Sequence, residues 1–241
     1  MIKSLSVIFP VFNEEKRLKD CFDDIKKFNL RTKLKKIEYI FIDDGSKDNS
    51  NIIINKFVKE QNKIKKKIRY KLIKLSKNSG KGGALMKGVM SVKNEWILTL
   101  DTDISVSLIE LTKWLKKKYL KKNCIYFGSR NLKNSKVDYK IHRKIIGLSF
   151  IFICKILFNI KISDTQCGFK LYKKTMAQKI FRNLKEKGYV HDIEIVLKAL
   201  NEKYEIVELP VTWVHKKNSK ISFIKDGFKI LSSLIVLKQK N

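Results

Sequence analysis

The segment that decides the fold is Trp96-Ile97-Leu98-Thr99-Leu100-Asp101-Thr102-Asp103, an apolar run that ends in two carboxylates one residue apart. We predict that the apolar run is a β-strand and that the Asp-x-Asp pair lies at its carboxyl end. Two carboxylates placed in this way can share one divalent cation. Their hard oxygen ligands suit Mg²⁺ or Mn²⁺, which take the rest of their shell from water and substrate phosphates. Taken alone, these three residues are better explained as a solvated turn.

A second acidic cluster repeats this arrangement and changes the interpretation. Asp43-Asp44-Gly45-Ser46 follows another strand-like run at residues 37–42. Open α/β sheets bind their ligands outside the carboxyl ends of the strands. Two acidic clusters at the carboxyl ends of strands therefore predict a nucleotide site that binds a diphosphate.

Apolar β-type runs alternate with helical patterns through the first half of the chain. The predicted strands are 5–9, 37–42, 70–75 and 96–100, and the predicted helices are 14–28, 48–60 and 80–91. This alternation is typical of a parallel sheet with helices on both faces. The second half is less regular, with strands predicted at 124–128 and 204–209 and a helix at 189–200. The predicted fold class is α/β, a single domain around a mostly parallel central sheet.

The chain is strongly basic, since its 241 residues carry 54 Lys and Arg against 23 Asp and Glu, a formal net charge of +31. The length fits one catalytic domain better than two independent ones. A charge of this size attracts nucleic acid, anionic lipid head groups or a polyanionic small molecule. A nucleic-acid-binding protein is the disfavoured class, because the basic residues are spread along the chain and the acidic clusters would repel a phosphate backbone.

The cysteines and the amino terminus bear on the compartment. Cys21, Cys124, Cys154 and Cys167 show no paired metal spacing and lie beside apolar residues, which indicates buried, reduced thiols. The first residues run directly into a strand-like segment without the pattern of a signal peptide. We therefore expect the chain to act on the cytosolic side.

Two segments are candidates for contact with a membrane surface. Residues 145–162 form an apolar stretch of nearly the length of a membrane span, but Lys155 lies at its middle. A helix in the lipid interface is preferred over one that crosses the bilayer, and a buried core helix is the alternative. Residues 221–237 mix apolar and charged side chains in a pattern that can lie on a bilayer. We expect peripheral attachment to the cytoplasmic side of a membrane.

Two further segments border the predicted edge of the sheet. Pro10-Val11-Phe12-Asn13-Glu14 closes the first strand, and together with the first acidic cluster it can form a pocket for a base and a ribose. Gly80-Lys81-Gly82-Gly83 opens a helix but lacks the Gly-x-x-x-x-Gly-Lys-Ser/Thr pattern of a phosphate loop. A close approach of the backbone to a neighbour explains these glycines at least as well, and Lys81 is a candidate phosphate contact.

Six short motifs in a fixed order carry a family resemblance. They are Pro-Val-Phe-Asn-Glu, Ile-Asp-Asp-Gly-Ser, Asn-Ser-Gly-Lys-Gly-Gly-Ala, Asp-Thr-Asp, Gly-Ser-Arg and Asp-Thr-Gln-Cys-Gly-Phe-Lys-Leu. From residue 5 to about residue 222 the chain resembles family 2 glycosyltransferases of the GT-A fold. Within that family it is most similar to the dolichyl-phosphate β-glucosyltransferase and polyprenyl-phosphate mannose or glucose synthase group. The resemblance implies a catalytic domain at 1–222, followed by an amphipathic basic helix at 223–241.

The resemblance also implies roles for individual residues. Asp101 and Asp103 would hold Mg²⁺ or Mn²⁺ on the donor diphosphate, and Ser105 stands where the mannose synthases often have Gln. Together with Lys81, the implied nucleotide-sugar site comprises Pro10, Val11, Asn13, Glu14, Asp43, Asp44, Asp101, Thr102, Asp103, Ser219 and Lys220, with His215 or Lys216 as contributors. The implied catalytic residues are Asp101, Asp103, Arg130, Lys170 and Asp192, of which Arg130 and Lys170 also meet the acceptor phosphate.

The expected reaction is transfer of a hexose, with inversion, from a nucleotide sugar to a polyprenyl or dolichyl monophosphate. The segment Ser163–Lys170 is nearest to the glucosyl-transferring branch, which favours UDP-glucose as donor over the alternative GDP-mannose. Arg143 and Lys144 precede the apolar stretch and are placed to meet an anionic lipid head group, with a solvated basic pair as an equal alternative. A transferase that acts on a saccharide hydroxyl, with Asp192 as general base, is the other open interpretation.

Overall fold

The computed structural model describes residues 2–64, 67–116, 123–138, 141–188, 190–216 and 223–239, with the backbone alone at 141–146, 223–226 and 228. These parts of the chain contain nine strands and eight helices. In chain order they are β1 (Ser4–Val11), α1 (Leu18–Arg31), β2 (Lys36–Asp43), α2 (Ser50–Ile64), β3 (Ile68–Lys74), α3 (Lys81–Ser91), β4 (Trp96–Thr99), α4 (Ile109–Lys116), β5 (Cys124–Ser129), β6 (Lys136–Val137), α5 (Ile141–Phe158), β7 (Lys170–Lys173), α6 (Lys174–Phe181), α7 (His191–Asn201), β8 (Glu205–Pro210), β9 (Thr212–Trp213) and α8 (Phe223–Gln239).

Seven strands form one sheet in the order β3-β2-β1-β4-β7-β5-β8. Every pairing in it is parallel except those of β7, which runs antiparallel to both β4 and β5. Because β7 is reversed, it begins at the edge where the parallel strands end, and Lys170 pairs with Thr99. The carboxyl ends of the parallel strands and the first residue of β7 therefore share one edge.

The sheet separates two hydrophobic cores, as a parallel sheet with helices on both faces requires. Buried side chains of α1, α2 and α4 cover one face, where Phe22 stacks on Phe57 with ring centroids 3.7 Å apart. Buried side chains of α3, α5, α6, α7 and α8 cover the other face. The central strands read as continuous apolar runs because both of their faces are buried. The predicted α/β class with a mostly parallel sheet is confirmed.

The element boundaries differ from the prediction where side chains bind the backbone. The first helix was predicted from residue 14 but begins at Leu18, because the amides of Glu14 and Glu15 donate to Ser50 Oγ and Asp48 Oδ2. Strand β7 was not predicted, since it begins and ends with lysine and lacks the continuous apolar run that identifies the equally short β4.

A second, two-stranded sheet joins β6 to β9 in parallel register. Trp213 of β9 also forms an antiparallel bridge to Val106, which follows the Asp-x-Asp segment. The amide of Val214 donates to the carbonyl of Ser105 at 2.8 Å. These contacts tie the end of the β8–β9 segment to the loop that carries the two aspartates.

Helices α5 and α8 pack against each other and leave apolar side chains in solvent. On α5 the exposed ones are Leu148, Phe152, Ile153 and Ile156, and on α8 they are Leu231, Ile235 and Val236. On their buried sides, Phe150 and Cys154 of α5 join the core together with Leu234 of α8. Within the described ranges, no helix combines the length and the apolar character needed to cross a bilayer.

Candidate active site

The aspartates of the Asp-x-Asp segment lie on a tight loop directly after β4. Thr102 Oγ1 donates to the carbonyl of Pro10 at 2.7 Å, which joins this loop to the end of β1. Ile104 has a φ of +53°, a costly conformation for a β-branched residue, and its amide donates to the carbonyl of Asp101. The amide of Ser105 donates to Asp103 Oδ1 at 2.9 Å. Ser105 thus fixes the second aspartate through its backbone.

Lys81, the first residue of α3, forms an ion pair with the first aspartate. Its Nζ lies 2.6 Å from Asp101 Oδ1, and both side chains are about one-third exposed, at 35% and 38%. Burial lowers the pKa of the Lys81 ammonium, but the carboxylates of Asp101 and Asp192 outweigh this effect, so its pKa lies above the usual value. Lys81 is therefore a cation at neutral pH, in contact with the predicted metal ligand.

The glycines around Lys81 allow a neighbouring loop to approach its backbone. A Cβ on Gly82 would lie 2.7 Å from His191 Cβ and 2.8 Å from the carbonyl oxygen of Glu186. The amide of Gly82 donates to the carbonyl of Lys187 at 2.9 Å. Gly80 has a φ of +83°, and a Cβ there would overlap the same carbonyl. The observed packing agrees with close backbone approach as the reason for these glycines.

Arg130, directly after β5, is held by a buried carboxylate. Its Nε and Nη2 donate to the two oxygens of Asp164 at 2.7 and 2.9 Å, and its amide donates to Asp164 Oδ2. Burial alone would raise the pKa of Asp164, but Arg130 holds it below its usual range. Glu208 of β8 supports the same turn by accepting from the amides of Ser163 and Asp164. The guanidinium is thereby fixed while its side chain stays 22% exposed.

Lys170 and Asp192 form a buried ion pair beneath the site. Lys170 Nζ contacts Asp192 Oδ1 and lies 4.8 Å from the ring centre of Phe127. His191 Nε2 lies 3.4 Å from Asp192 Oδ2 and has no hydrogen bond among the described residues. Burial opposes ionisation of Asp192, yet His191 in its protonated form, Lys170 and Lys81 hold its pKa well below the usual value. Burial lowers the pKa of His191, so this imidazole is neutral at physiological pH.

The loops that end β1 and β2 interlock. Asn13, with a φ of +53°, accepts from the amide of Lys47 through Oδ1, and its own amide donates to Ser46 Oγ. Asp43 is buried and accepts from the amide of Ser46 and from Asn51 Nδ2. Asp44 is also buried.

Both oxygens of Asp44 are bonded to the loop before α3. They accept from the amide and hydroxyl of Ser79 and from the amide of Gly80. The two aspartates therefore shape the predicted nucleotide pocket, and their direct contact with a base or ribose stays a prediction.

The Asp-x-Asp pair fits a divalent cation that takes most of its ligands from water and from substrate phosphates. No cluster of three or more His, Cys, Asp or Glu side chains is arranged for a metal within the described ranges. Asp103 Oδ1 accepts from the amide of Ser105. Asp101 Oδ2 lies 2.4 Å from the point where a Cβ on residue 168 would be, so the glycine leaves room for this oxygen. Two carboxylates one residue apart match the way proteins hold Mg²⁺ or Mn²⁺ on a diphosphate.

Some predicted site residues have partners away from the Asp-x-Asp pair, and others are not among the residues that the structure describes. Ser219 and Lys220 are not among the described residues, and neither are the side chains of Arg143 and Lys144. His215 stacks on Trp213 with ring centres 6.0 Å apart, and Lys216 Nζ lies 3.4 Å from Asp20 Oδ2. Their roles stay predictions.

Sequence reasoning did not assign Asp164, Gly168 or Trp213 to the site. Gly168 and Trp213 line a cavity of about 40 Å³ together with Asp101 and Arg130, and the buried Asp164 holds Arg130. Asp164 and Gly168 belong to the quoted Asp-Thr-Gln-Cys-Gly motif, so a signal for them was present. Trp213 carried none, because the β6–β9 pairing and its bridge to Val106 bring it to this edge from a distant part of the chain.

A doubly covered, mostly parallel sheet with an Asp-x-Asp pair and three cations at its carboxyl edge defines a GT-A-fold glycosyltransferase. Residues 6–181 match the family described as glycosyl transferase family 2, and the chain belongs to that family. It is 30% identical over 251 residues to a dolichyl-phosphate β-glucosyltransferase of Saccharomyces cerevisiae, covering 97% of this chain and 74% of the relative. It is 32% identical over 230 residues to the Homo sapiens protein of the same name, covering 91% and 70%.

A solved structure supports the fold. The glucosyl-3-phosphoglycerate synthase from Mycobacterium tuberculosis, in complex with Mn²⁺ and UDP-glucose, superimposes with a TM-score of 0.68 at 12% identity. The match covers 98% of this chain and 79% of that one. The identity is low, so this likeness bears on the fold and not on the substrate.

Proposed function

We propose that this glycosyltransferase moves a hexose, with UDP-glucose as the preferred donor, to the phosphate of a polyprenyl or dolichyl monophosphate. The observation that carries the proposal is the position of Lys81, Arg130 and Lys170 at the same edge of the sheet as the Asp101–Asp103 pair, with Lys81 in contact with Asp101. Two phosphate-bearing substrates must meet in such a reaction, and each brings negative charge. Similarity to relatives named dolichyl-phosphate β-glucosyltransferase supports the acceptor and the sugar.

The route of the chain supports a lipid acceptor. After Arg130 the chain passes through β6 into α5 and returns through Asp164 to Lys170, so α5 is inserted between two residues of the site. Phe152 and Ile156 of α5 are 64% and 65% exposed. An apolar helix face that water would otherwise cover is a suitable surface for a polyprenyl chain or a lipid interface. We propose that the enzyme works at the cytosolic face of a membrane through this surface.

The reaction forms one bond and breaks one. An oxygen of the acceptor phosphate attacks the anomeric carbon, the bond to the donor diphosphate breaks, and a nucleoside diphosphate leaves with inversion at that carbon. A phosphate monoester is already anionic near neutral pH, so orientation of the reactants is the main task of the protein. We propose that Arg130, locked by Asp164, orients phosphate oxygens and stabilises the charge on the leaving group, and that the buried Lys170 adds positive charge from beneath the site. Mg²⁺ or Mn²⁺ on Asp101 and Asp103 would supply further charge neutralisation on the diphosphate.

The state of Asp192 disfavours the hydroxyl-acceptor alternative. A general base needs a free oxygen and a pKa near the working pH. Asp192 contacts Lys170 through one oxygen and faces His191 with the other, and its pKa is lowered. We propose that Asp192 positions Lys170 instead of accepting a proton.

Transfer of radiolabelled sugar into organic-extractable lipid tests the proposal. The full chain is incubated with dolichyl phosphate and UDP-glucose, GDP-mannose or UDP-N-acetylglucosamine, with Mg²⁺, with Mn²⁺ and with a chelator. We expect metal-dependent label from UDP-glucose, and a loss of at least 100-fold on Asp103→Asn, as is typical when one stabilising group is removed from a transition state. Asp23→Asn is the matched control, because Asp23 lies on α1 with its side chain 48% exposed.

The outcomes separate the candidate functions. Label from GDP-mannose alone would replace the donor and keep the reaction class. Label in a saccharide acceptor but not in lipid would overturn the lipid acceptor and restore Asp192 as the candidate base. Equal activity of the two Asp→Asn variants would overturn the assignment of the site.

A further inference from the structure

Lys81 occupies the carboxylate that the proposed function assigns to the metal. Its ammonium lies 2.6 Å from Asp101 Oδ1, which is hydrogen-bond distance for a charged pair. A divalent cation on the same carboxylate would be repelled by this ammonium. One of the two candidate metal ligands therefore already faces a positive charge.

The backbone of Lys81 cannot move away to relieve this competition. Gly82 donates to the carbonyl of Lys187, and Asp44 accepts from the amide of Gly80, so both neighbours of Lys81 are bound to other segments. Glu194 in turn holds the 185–186 backbone by accepting from the amides of Lys185 and Glu186. Only the flexible side chain of Lys81 can change partner.

Two of the other anions of the site are already matched to cations. Asp192 is paired with Lys170, and Asp164 is paired with Arg130. Asp103, whose Oδ1 accepts from the amide of Ser105, is the second candidate metal ligand, so a partner that draws the Lys81 ammonium off both candidate ligands must come with a bound anion. The donor diphosphate is the anion that the proposed function brings to this place.

We infer that Lys81 is a resident counter-ion that blocks metal binding at Asp101 until a nucleoside diphosphate draws its ammonium away, so that metal and donor bind together. The inference rests on the proposed function for the identity of the anion. Two carboxylates give a metal few ligands of its own, and the diphosphate supplies both further ligands for the metal and a new partner for Lys81. The coupling is reciprocal, so Mn²⁺ must also tighten the binding of the diphosphate.

Mn²⁺ binding to the full chain, measured by the electron paramagnetic resonance signal of free Mn²⁺, tests the inference without any catalysis. Wild type, Lys81→Gln and Lys87→Gln are titrated with and without UDP. Lys87 is exposed on the same helix, so its variant carries the same change of charge without touching the site. Circular dichroism melting shows whether each variant is folded.

In the absence of UDP we expect Lys81→Gln to bind Mn²⁺ about fivefold more tightly than wild type, the upper range for removal of a partly exposed ion pair. Addition of UDP should tighten Mn²⁺ binding at least about fivefold in wild type and in Lys87→Gln, and clearly less in Lys81→Gln. Unchanged or weaker Mn²⁺ binding by folded Lys81→Gln without UDP would overturn the inference.

The inference and the proposed function can fail separately. If Lys81→Gln tightens Mn²⁺ binding but no sugar reaches a lipid, Lys81 is the resident counter-ion of a transferase with another acceptor. If sugar reaches lipid and the Mn²⁺ affinities of wild type and Lys81→Gln are equal, the proposed function stands and the role inferred for Lys81 is wrong.

Discussion

Asp164 and Asp192 are buried carboxylates that each hold one cation of the site in place. Asp164 is 1% exposed and grips Arg130 through three hydrogen bonds, and Asp192 grips Lys170. Such pairs contribute little net stability compared with apolar packing, but breaking one leaves an uncompensated charge. Their main effect is to orient cations that would otherwise sample many rotamers. These two carboxylates therefore account for the fixed positions of Arg130 and Lys170.

We expect Asp164→Asn to lower the free energy of unfolding by about 3 kcal/mol at pH 7, because Arg130 loses its buried partner. Urea denaturation measures this change. Since the pKa of Asp164 is lowered in the folded state, its ionised carboxylate stabilises the protein above the unfolded pKa of about 4 and ceases to do so as the pH falls below that value. The difference in the free energy of unfolding between wild type and Asp164→Asn should therefore become smaller from pH 5 to pH 3. A gap independent of pH would contradict this account.

The approach of residues 186–188 and of His191 to α3 is the element-scale feature on which the site depends. It places His191 and Asp192 beside the first turn of α3, from which Lys81 reaches Asp101. The approach requires a hydrogen atom in place of a side chain at Gly82. A glycine in a helix is less favourable than alanine by about 1 kcal/mol. The close contact at Gly82 is therefore accompanied by a less stable first turn of α3.

Gly82→Ala should destabilise the protein by about 1–3 kcal/mol, the usual range when a methyl group is forced into a packed contact. Gly147→Ala is the control, because Gly147 lies in α5 with no atom within 4 Å of the added methyl group. That change should be neutral or stabilising by up to about 1 kcal/mol. Thermal melting measures both, and equal melting temperatures would show that the close approach is unimportant.

The exposed face of α5 is the second element-scale feature, and vesicle flotation tests its role. We expect Ile156→Glu to weaken binding to vesicles that contain anionic lipid, because a charge replaces apolar area in the proposed interface. Ile52→Glu is a close match, since Ile52 is 69% exposed on α2 and Ile156 is 65% exposed. Equal binding by the two variants would remove α5 from the proposed membrane surface.

At the scale of the whole molecule, the net charge of +31 acts beyond any single contact. Basic residues add roughly 1 kcal/mol each when they lie close to an anionic membrane surface, and salt screens this attraction. The apolar contribution of α5 is not screened in this way. The two contributions can therefore be separated by ionic strength.

Binding of the wild-type chain to vesicles with anionic lipid should fall by at least tenfold between about 0.05 and 0.5 M salt, because the screening length shortens over this range. Neutral vesicles should bind weakly and with little dependence on salt. Co-sedimentation at each salt concentration measures the effect. Equal binding to anionic and neutral vesicles would show that the charge does not contribute to membrane attachment.

Much of the fold could be predicted because each buried parallel strand is a continuous apolar run in the sequence. Runs such as Trp96–Thr99 are apolar on both faces, and the acidic clusters follow them directly. Strand β7 could not be predicted, because it has a lysine at each end and no continuous apolar run. The β6–β9 pair could not be predicted, because strands of two residues depend on partners far away in the chain. The same holds for the site. Asp101 and Asp103 follow a recognisable strand, whereas Trp213 reaches them only through long-range pairing.

The sequence by itself determined the α/β class, the order of its motifs and the chemical types of the residues at the edge of the sheet. Which cation meets which carboxylate was decided only by the tertiary structure: Lys81 with Asp101, Arg130 with Asp164 and Lys170 with Asp192. Local patterns record burial and periodicity, which each segment carries in its own residues. Ion pairs between distant segments depend on register, on the reversal of β7 and on the glycines of α3, which act only once the chain has folded.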